Sequence, residues 1–158
     1  MFRHMRKVKN EIGIDMAKHL LKTERRGVLS VNGDGGYPYA IPINFLYSEE
    51  DNKIYFHGSR VGHKVDSINA CDKVCFTVFG NEQIKKEEWA PFVQSVVVFG
   101  RCRTINNKDL NKKLVTAFAE KYYPYSELVK EEVDSYGAVV QMFEIEIEHT
   151  SGKEIQEK

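Results

Sequence analysis

Between Tyr55 and Ile68 the chain reads YFHGSRVGHKVDSI, which gathers His57, Ser59, Arg60, His63 and Lys64 around Gly58 and Gly62. The stretch begins with the composition of a β-strand and ends with that of a helix. A helix start near His63 exposes backbone N–H groups and a partial positive charge, which together suit a phosphate. The helix dipole does not favour cations in a first turn, so His63 and Lys64 make sense there with an anion between them. Ser59 would add a hydroxyl, and Gly58 lets the backbone approach closely. Arg60 either offers a fork to the phosphate or points into water. A solvated polar turn would use the same residue types, and spacing alone leaves both readings open.

A second stretch with chemical capacity is YPYAIPINF, Tyr37 to Phe45. Pro38 and Pro42 cannot donate to a ladder, which places them at a sheet edge or irregularity. Backbone groups near them are then free to meet a planar, hydrogen-bonding heterocycle, or the prolines simply protect an edge against aggregation. Ser95 opens a long apolar run and either faces a ligand or starts a strand. Trp89, the single tryptophan, either covers a ligand ring or partner subunit or packs under its loop. No GxSxG elbow, GxxxxGK[ST] loop or HExxH helix occurs. His4, His19, His57, His63 and His149 form no ligand spacing, so no metal site is expected.

The totals bound what these residues can serve. With 158 residues the chain suits one domain, residues 1–158, with a basic arm at 1–9 and a tail at 154–158. Lys plus Arg equals Asp plus Glu at 23 each, a balance that argues against nucleic-acid binding. Cys71, Cys75 and Cys102 form no CxxC pair and read as reduced thiols, the first two in the core, which points to the cytoplasm. No signal-peptide pattern and no apolar run of about 18 residues occurs, so no membrane span is expected.

The elements that must position the site follow from periodicity. Ile12, Met16, Leu20 and Leu21 predict a helix over 11–23 capped by Asn10. Strands are expected at 28–31, 37–47, 54–57, 73–79, 95–105 and 142–147, with NGDGG as a hairpin turn. Short helices are expected around 65–68 and 127–134. A longer one, capped by Asn106 or Asn107, would place Leu110, Leu114 and Phe118 on one face. Hairpin-length links between the first three strands exclude a doubly wound parallel fold. The expected class is α+β, mainly β: a six-stranded antiparallel barrel with flanking helices.

GVLSVNGDGGYPYAIPINFLY, KIYFHGSRVGHKVDSI, KVCFTV and SVVVFGR, in this order, resemble the FMN-binding split barrel of the pyridoxamine 5′-phosphate oxidase-like superfamily. The nitroimidazole resistance-related branch, the 5-nitroimidazole reductase-related (Nim-type) flavoproteins, is the nearest match. The resemblance spans Met5 to Lys153 and implies a six-stranded split barrel and a homodimer with FMN at the subunit interface. It would put Ser59, His63 and Lys64, with Arg60, at the FMN phosphate, and His57 and Gly58 beside the ribityl chain or ring. Backbone groups of Pro42, Ile43 and Asn44 would meet the isoalloxazine edge, and Ser95 would touch the cofactor. Trp89 and Tyr136 would lie near the ring or the partner chain. The flavin would carry the electrons, which accounts for the missing acid–base machinery. Arg60 is separated from Lys64, unlike the contiguous S-R-K of pyridoxamine-phosphate oxidases, and no substrate-phosphate motif lies near the carboxyl terminus; both argue against vitamin B6 oxidation. The expected function is an FMN-dependent oxidoreductase reducing a small aromatic or nitro compound with electrons from NAD(P)H or another carrier. The alternatives are a flavin-binding or redox-sensing module without turnover, and a haem-binding split barrel with His57, His63 or His149 as axial ligand.

Overall fold

Residues 1–84, 86–87, 89–137 and 139–156 are described by the computed structural model. In chain order the elements are α1 (Ile14–Thr23), β1 (Arg26–Asn32), β2 (Pro38–Asn44), β3 (Leu46–Ser48), β4 (Lys53–Gly58), α2 (His63–Ala70), β5 (Lys73–Ile84), β6 (Pro91–Thr104), α3 (Lys108–Tyr122), α4 (Ser126–Tyr136) and β7 (Gln141–Gln156). The strands form one sheet in the order β2-β1-β5-β6-β7-β4-β3, and each pairing in it is antiparallel. The α+β, mainly β class is as expected, but there are seven strands and not six.

The extra strand arises at Phe45, where the expected strand over 37–47 is cut in two. β2 pairs with β1, whereas β3 pairs with β4 at the opposite end of the sheet. Consecutive Cα atoms are 3.8 Å apart, so two edges joined through one residue lie within about 7 Å of each other there. The sheet has to curl into a half-barrel to satisfy this. α3 fixes the corner. The Tyr122 hydroxyl accepts the Phe45 N–H at 2.8 Å and stands 2.7 Å from the Phe45 carbonyl and 2.6 Å from that of Arg25. Its single proton serves these two acceptors. Lys121 Nζ donates to the carbonyls of Glu24 (2.7 Å) and Phe45 (3.0 Å) and lies 4.1 Å from the Phe45 ring centre.

Alternation along the strands sorts side chains between two cores. Leu29, Phe45, Ile54, Phe56, Phe76, Val96, Phe143 and Ile145 fill the concave side with Leu20 and Leu21 of α1 and Val65 and Ile68 of α2. On the convex side Tyr55 and Met142 pack with Leu114, Val115 and Phe118 of α3 and Val129 and Val133 of α4. Of the three residues expected on one face of α3, Leu114 and Phe118 are buried, whereas Leu110 is 38% exposed.

Local chemistry explains most boundaries. Asn107 caps α3 by accepting the Leu110 N–H at 3.0 Å. Asn10 does not cap α1, which starts after Gly13; the Asn10 amide instead donates to the Glu154 carbonyl at 2.9 Å. The β5–β6 hairpin outgrows its apolar pattern, because past a bulge between Gly80 and Gln83 most of β5 is an exposed ribbon that needs no buried face. β7 likewise runs through Gln156, beyond the expected start of the tail. At the other end Phe2 leaves the basic arm to stack on His149, with ring centres 4.7 Å apart. All three cysteines are free; Cys102 is buried, but Cys71 and Cys75 are half-exposed and not core thiols as expected.

Tyr122→Phe removes the hydroxyl that satisfies the Phe45 N–H. Urea denaturation is expected to show a loss of about 1–3 kcal/mol in stability, and a variant as stable as the parent would remove the corner from the account of the fold.

Candidate functional site

The half-barrel leaves a split. β2 is an edge strand paired on one side only, as Pro38 and Pro42 foretold. Its prolines keep the β1 ladder intact when their nitrogens face the open side, and by the two-residue period the N–H groups of Ala40 and Asn44 face that side too. Across the split, β3 covers β4 only from Lys53 to Tyr55. Phe56, His57 and Gly58 therefore have no β3 partner there.

The first turn of α2 bridges this split, and its start after Gly62 is where the sequence put it. Gly62 has φ 119°, a conformation reserved for glycine, and its carbonyl accepts the N–H groups of Val65 and Asp66 at 2.8 and 3.0 Å. Among the described residues no side chain caps this helix. His63 stacks on Tyr39 of β2, ring centres 4.2 Å apart, with Nε2 3.5 Å from the exposed Asp34 carboxylate. Lys64 leans the other way, onto β4: its Nζ lies 5.2 Å from the ring centre of Phe56 and 5.6 Å from that of Phe143. A Cβ on Gly58 would come within 2.8 Å of that ammonium, so the glycine makes room for it.

The electrostatics are those of a cation held short of partners. Among the described residues no carboxylate and no hydrogen-bond acceptor pairs with the Lys64 ammonium. Desolvation pushes its pKa below the ordinary lysine value. His57, on the convex side of β4, is lowered too, first by desolvation and then by the charge of Lys64. Its ring stands edge-on to Phe118, 4.8 Å between centres. The Ser59 hydroxyl accepts the Val61 N–H at 3.2 Å and keeps its proton for another partner.

The structure thus brings Pro42, Ile43, Asn44, His57, Gly58, Ser59, His63 and Lys64 to the two sides of one split. Arg60 lies apart, on the wall of a polar cavity of about 550 Å³ with Lys108 and Asn111 of α3 and Asp134 of α4. Ser95 lines a hollow beneath the amino-terminal segment with Phe2 and His149, away from the split of its own chain. Trp89, at the tip of the β5–β6 hairpin, is 99% exposed and does not pack under its loop. Tyr136 shares a cleft with His57 and Asn44. Sequence reasoning missed Tyr39, Phe56 and Phe143, which had strand composition and no signal beyond it. It also missed Lys121 and Tyr122, whose targets lie some 76 to 97 residues away. Among the described residues no group of three His, Cys, Asp or Glu could hold a metal.

The chain is thus a small, mainly β α+β protein: a curled antiparallel half-barrel with a cation-bearing helix start across its split. The family model described as pyridoxamine 5′-phosphate oxidase matches residues 15–154, and the chain belongs to that family. No curated protein matches it in sequence. Among solved structures it is similar to a candidate 5-nitroimidazole antibiotic resistance protein from Bacteroides thetaiotaomicron, with TM-score 0.75, 16% identity, and 92% of this chain and 87% of that one covered. A FAD-binding protein from Mesorhizobium loti gives TM-score 0.66 at 23% identity, covering 92% and 96%. The flavocytochrome Anf3 from Azotobacter vinelandii gives 0.72 at 16% identity, covering 96% and 72%. At these identities the likeness establishes a shared fold.

Lys64→Met removes the positive charge felt by His57 but not the desolvation. The His57 midpoint, followed by the NMR shift of its ring protons, is expected to rise in the variant and to stay below about 6.5, the value of a free histidine. An unmoved midpoint would dissociate the two residues.

Proposed function

We propose that the chain is a flavoprotein that holds FMN across the split between β2 and β4 and transfers electrons to a small aromatic or nitro compound. The observation that carries this reading is the half-buried Lys64 ammonium, which among the described residues has no counter-ion, beside a helix start that no described side chain caps. A buried cation left so is costly, and a bound anion offsets the cost. The residues present fit the group. The first-turn amides of α2, with Ser59, His63 and Lys64, would hold the phosphate, and the open edge at Pro42, Ile43 and Asn44 would receive the ring, with His57 and Gly58 beside it. When bound, FMN supplies the electron-accepting and electron-donating chemistry. The chain's own part is to fix the phosphate, offer backbone donors and acceptors at the ring edge, and exclude water with the aromatic floor of Phe56 and Phe143.

The flavin reading agrees with the neighbours named as FAD-binding and flavocytochrome, and FMN is preferred over FAD because the cradle offers one anion site. NAD(P)H is the proposed electron source. The proposal includes a homodimer. The convex faces of β5 and β6 leave Phe79 exposed, with Cys75, Thr77, Ser95, Val97 and Phe99 in the same alternating set, and a second copy laid there would bring Ser95 and Trp89 toward the partner's cofactor. Among the described residues no helix is long and apolar enough to cross a membrane, and with three free thiols we assign the protein to the cytoplasm.

The absorption spectrum of freshly purified protein separates flavin from haem, and fluorescence titration with FMN and FAD separates the two flavins. Ser59→Ala combined with Lys64→Ala is expected to weaken FMN binding by roughly tenfold or more, from the loss of charge-assisted contacts, with the fold retained by circular dichroism. Unchanged FMN affinity would overturn the phosphate assignment. Absence of turnover with NAD(P)H across nitroaromatic acceptors would leave a flavin-binding module.

A further inference from the structure

The turn between β1 and β2 carries a carboxylate to a site otherwise built of cations. Asp34 holds Oδ2 3.5 Å from Nε2 of His63, the first residue of α2. The imidazole is fixed in place by its stack on Tyr39, with ring centres 4.2 Å apart and planes 12° from parallel. The turn crosses the same edge of the ring, for a Cβ on Gly33 would stand 3.5 Å from Nε2. Asp34 itself is held by little else. Its side chain is 96% exposed, and among the described residues His63 is its only ion-pair partner. The turn is spanned by two backbone hydrogen bonds, Gly33 N–H to the Tyr37 carbonyl at 2.9 Å and Tyr37 N–H to the Asp34 carbonyl at 3.2 Å. Gly35 and Gly36 take φ 63° and 81° and, like Asp34, are exposed.

An exposed ion pair of this kind adds little to stability, so its effect falls on the site. The phosphate assigned above to the first turn of α2 and the Asp34 carboxylate both seek the His63 imidazolium. Like charges a few ångströms apart repel, so the two hold the ring together only at a cost. Asp66 also lies in the first turn of α2 but pairs with no described cation. Lys64 leans away from the turn, onto Phe56 and Phe143. Among the described residues Asp34 is thus the one carboxylate paired with a cation of the site.

We propose that Asp34 is an internal counter-ion of the anion site: it pairs with His63 while the site is empty and yields the ring to the phosphate when FMN binds, freeing the β1–β2 turn from α2. This role rests on the phosphate assignment at α2 made above. It selects ligands by the number of their contacts. A small anion that touches only the start of α2 must displace the carboxylate for little in return, whereas FMN adds the contacts of its ring along the β2 edge. The coupling is reciprocal: drawing the turn away from α2 strengthens the hold on the anion, and a bound anion loosens the turn.

The test follows amide NMR shifts while inorganic phosphate, or FMN, is titrated into the full chain and into Asp34→Asn. Asparagine keeps the size of the side chain and suits a turn, so the fold is retained. In the parent, both probes are expected to shift the amides of His63, Lys64 and Val65 together with those of Gly33, Gly35 and Gly36. In Asp34→Asn both affinities are expected to rise about two- to fivefold at low salt, the range of one exposed ion pair. That gain should fade toward roughly 1 M salt, which a purely structural role of Asp34 would not produce. Unchanged or weaker affinity in the variant, a gain that salt leaves intact, or a turn that stays put while the α2 amides shift would overturn the proposal and leave the phosphate assignment standing. Amides of α2 that move with neither probe, in either protein, would overturn the phosphate assignment itself and the proposal with it.

Discussion

Two edges of one sheet are tied together through a single residue, and the rest of the architecture follows from that tether. β2 ends at Asn44 and β3 begins at Leu46, yet they occupy opposite ends of the strand order. The sheet curls because the chain between its edges is too short to let it lie flat. It stays split because the strands leaving Phe45 go to different partners. Tyr122 and Lys121 satisfy the backbone groups that this turn takes out of the ladder. The corner therefore holds the barrel nearly shut at one end and leaves a gap beyond it, and the gap is where the candidate site lies.

That gap is furnished at some energetic expense. A helix start without a cap, a glycine at φ 119° and an ammonium among aromatic rings would each be avoided in a chain selected for stability alone. They lie within a few residues of one another, and one ligand type, an anion, would relieve them together. The neighbouring histidine feels the same charge from the opposite face of β4. Anion capture on one side of the strand and the state of His57 on the other are thus coupled through a single lysine.

Much of this was legible because short-range chemistry wrote it. Gly62 followed by His63 and Lys64 marked a helix start, Asn106 or Asn107 marked a cap, and Pro38 and Pro42 marked an edge or irregularity, each by a backbone requirement contained in a few residues. The break at Phe45 was not legible. Its flanks are continuous in β composition, and the groups that make the break, Tyr122 and Lys121, are distant in sequence. The paths of Arg60 and Ser95 were hidden for a related reason. Family motifs align positions along the chain, whereas Arg60 turns toward α3 and α4 and Ser95 lies on a face that the chain's own split does not reach. Cys75 was misjudged because alternation in β5 puts it opposite the buried Val74 and Phe76.

β7 pairs with β6 on one side and with β4 on the other, the second across more than eighty intervening residues, as in Gly58 with Gln141. It is also the last of these seven strands to leave the ribosome. Until it arrives, β4 and β6 each present a bare ladder, and hairpins made earlier have nothing to hold them in a curve. Closure is therefore a late, non-local event, and the nascent chain passes through a stage with two unprotected edges. Truncated or stalled products of this gene would carry those edges permanently, which makes them, rather than the finished protein, the species most exposed to aggregation.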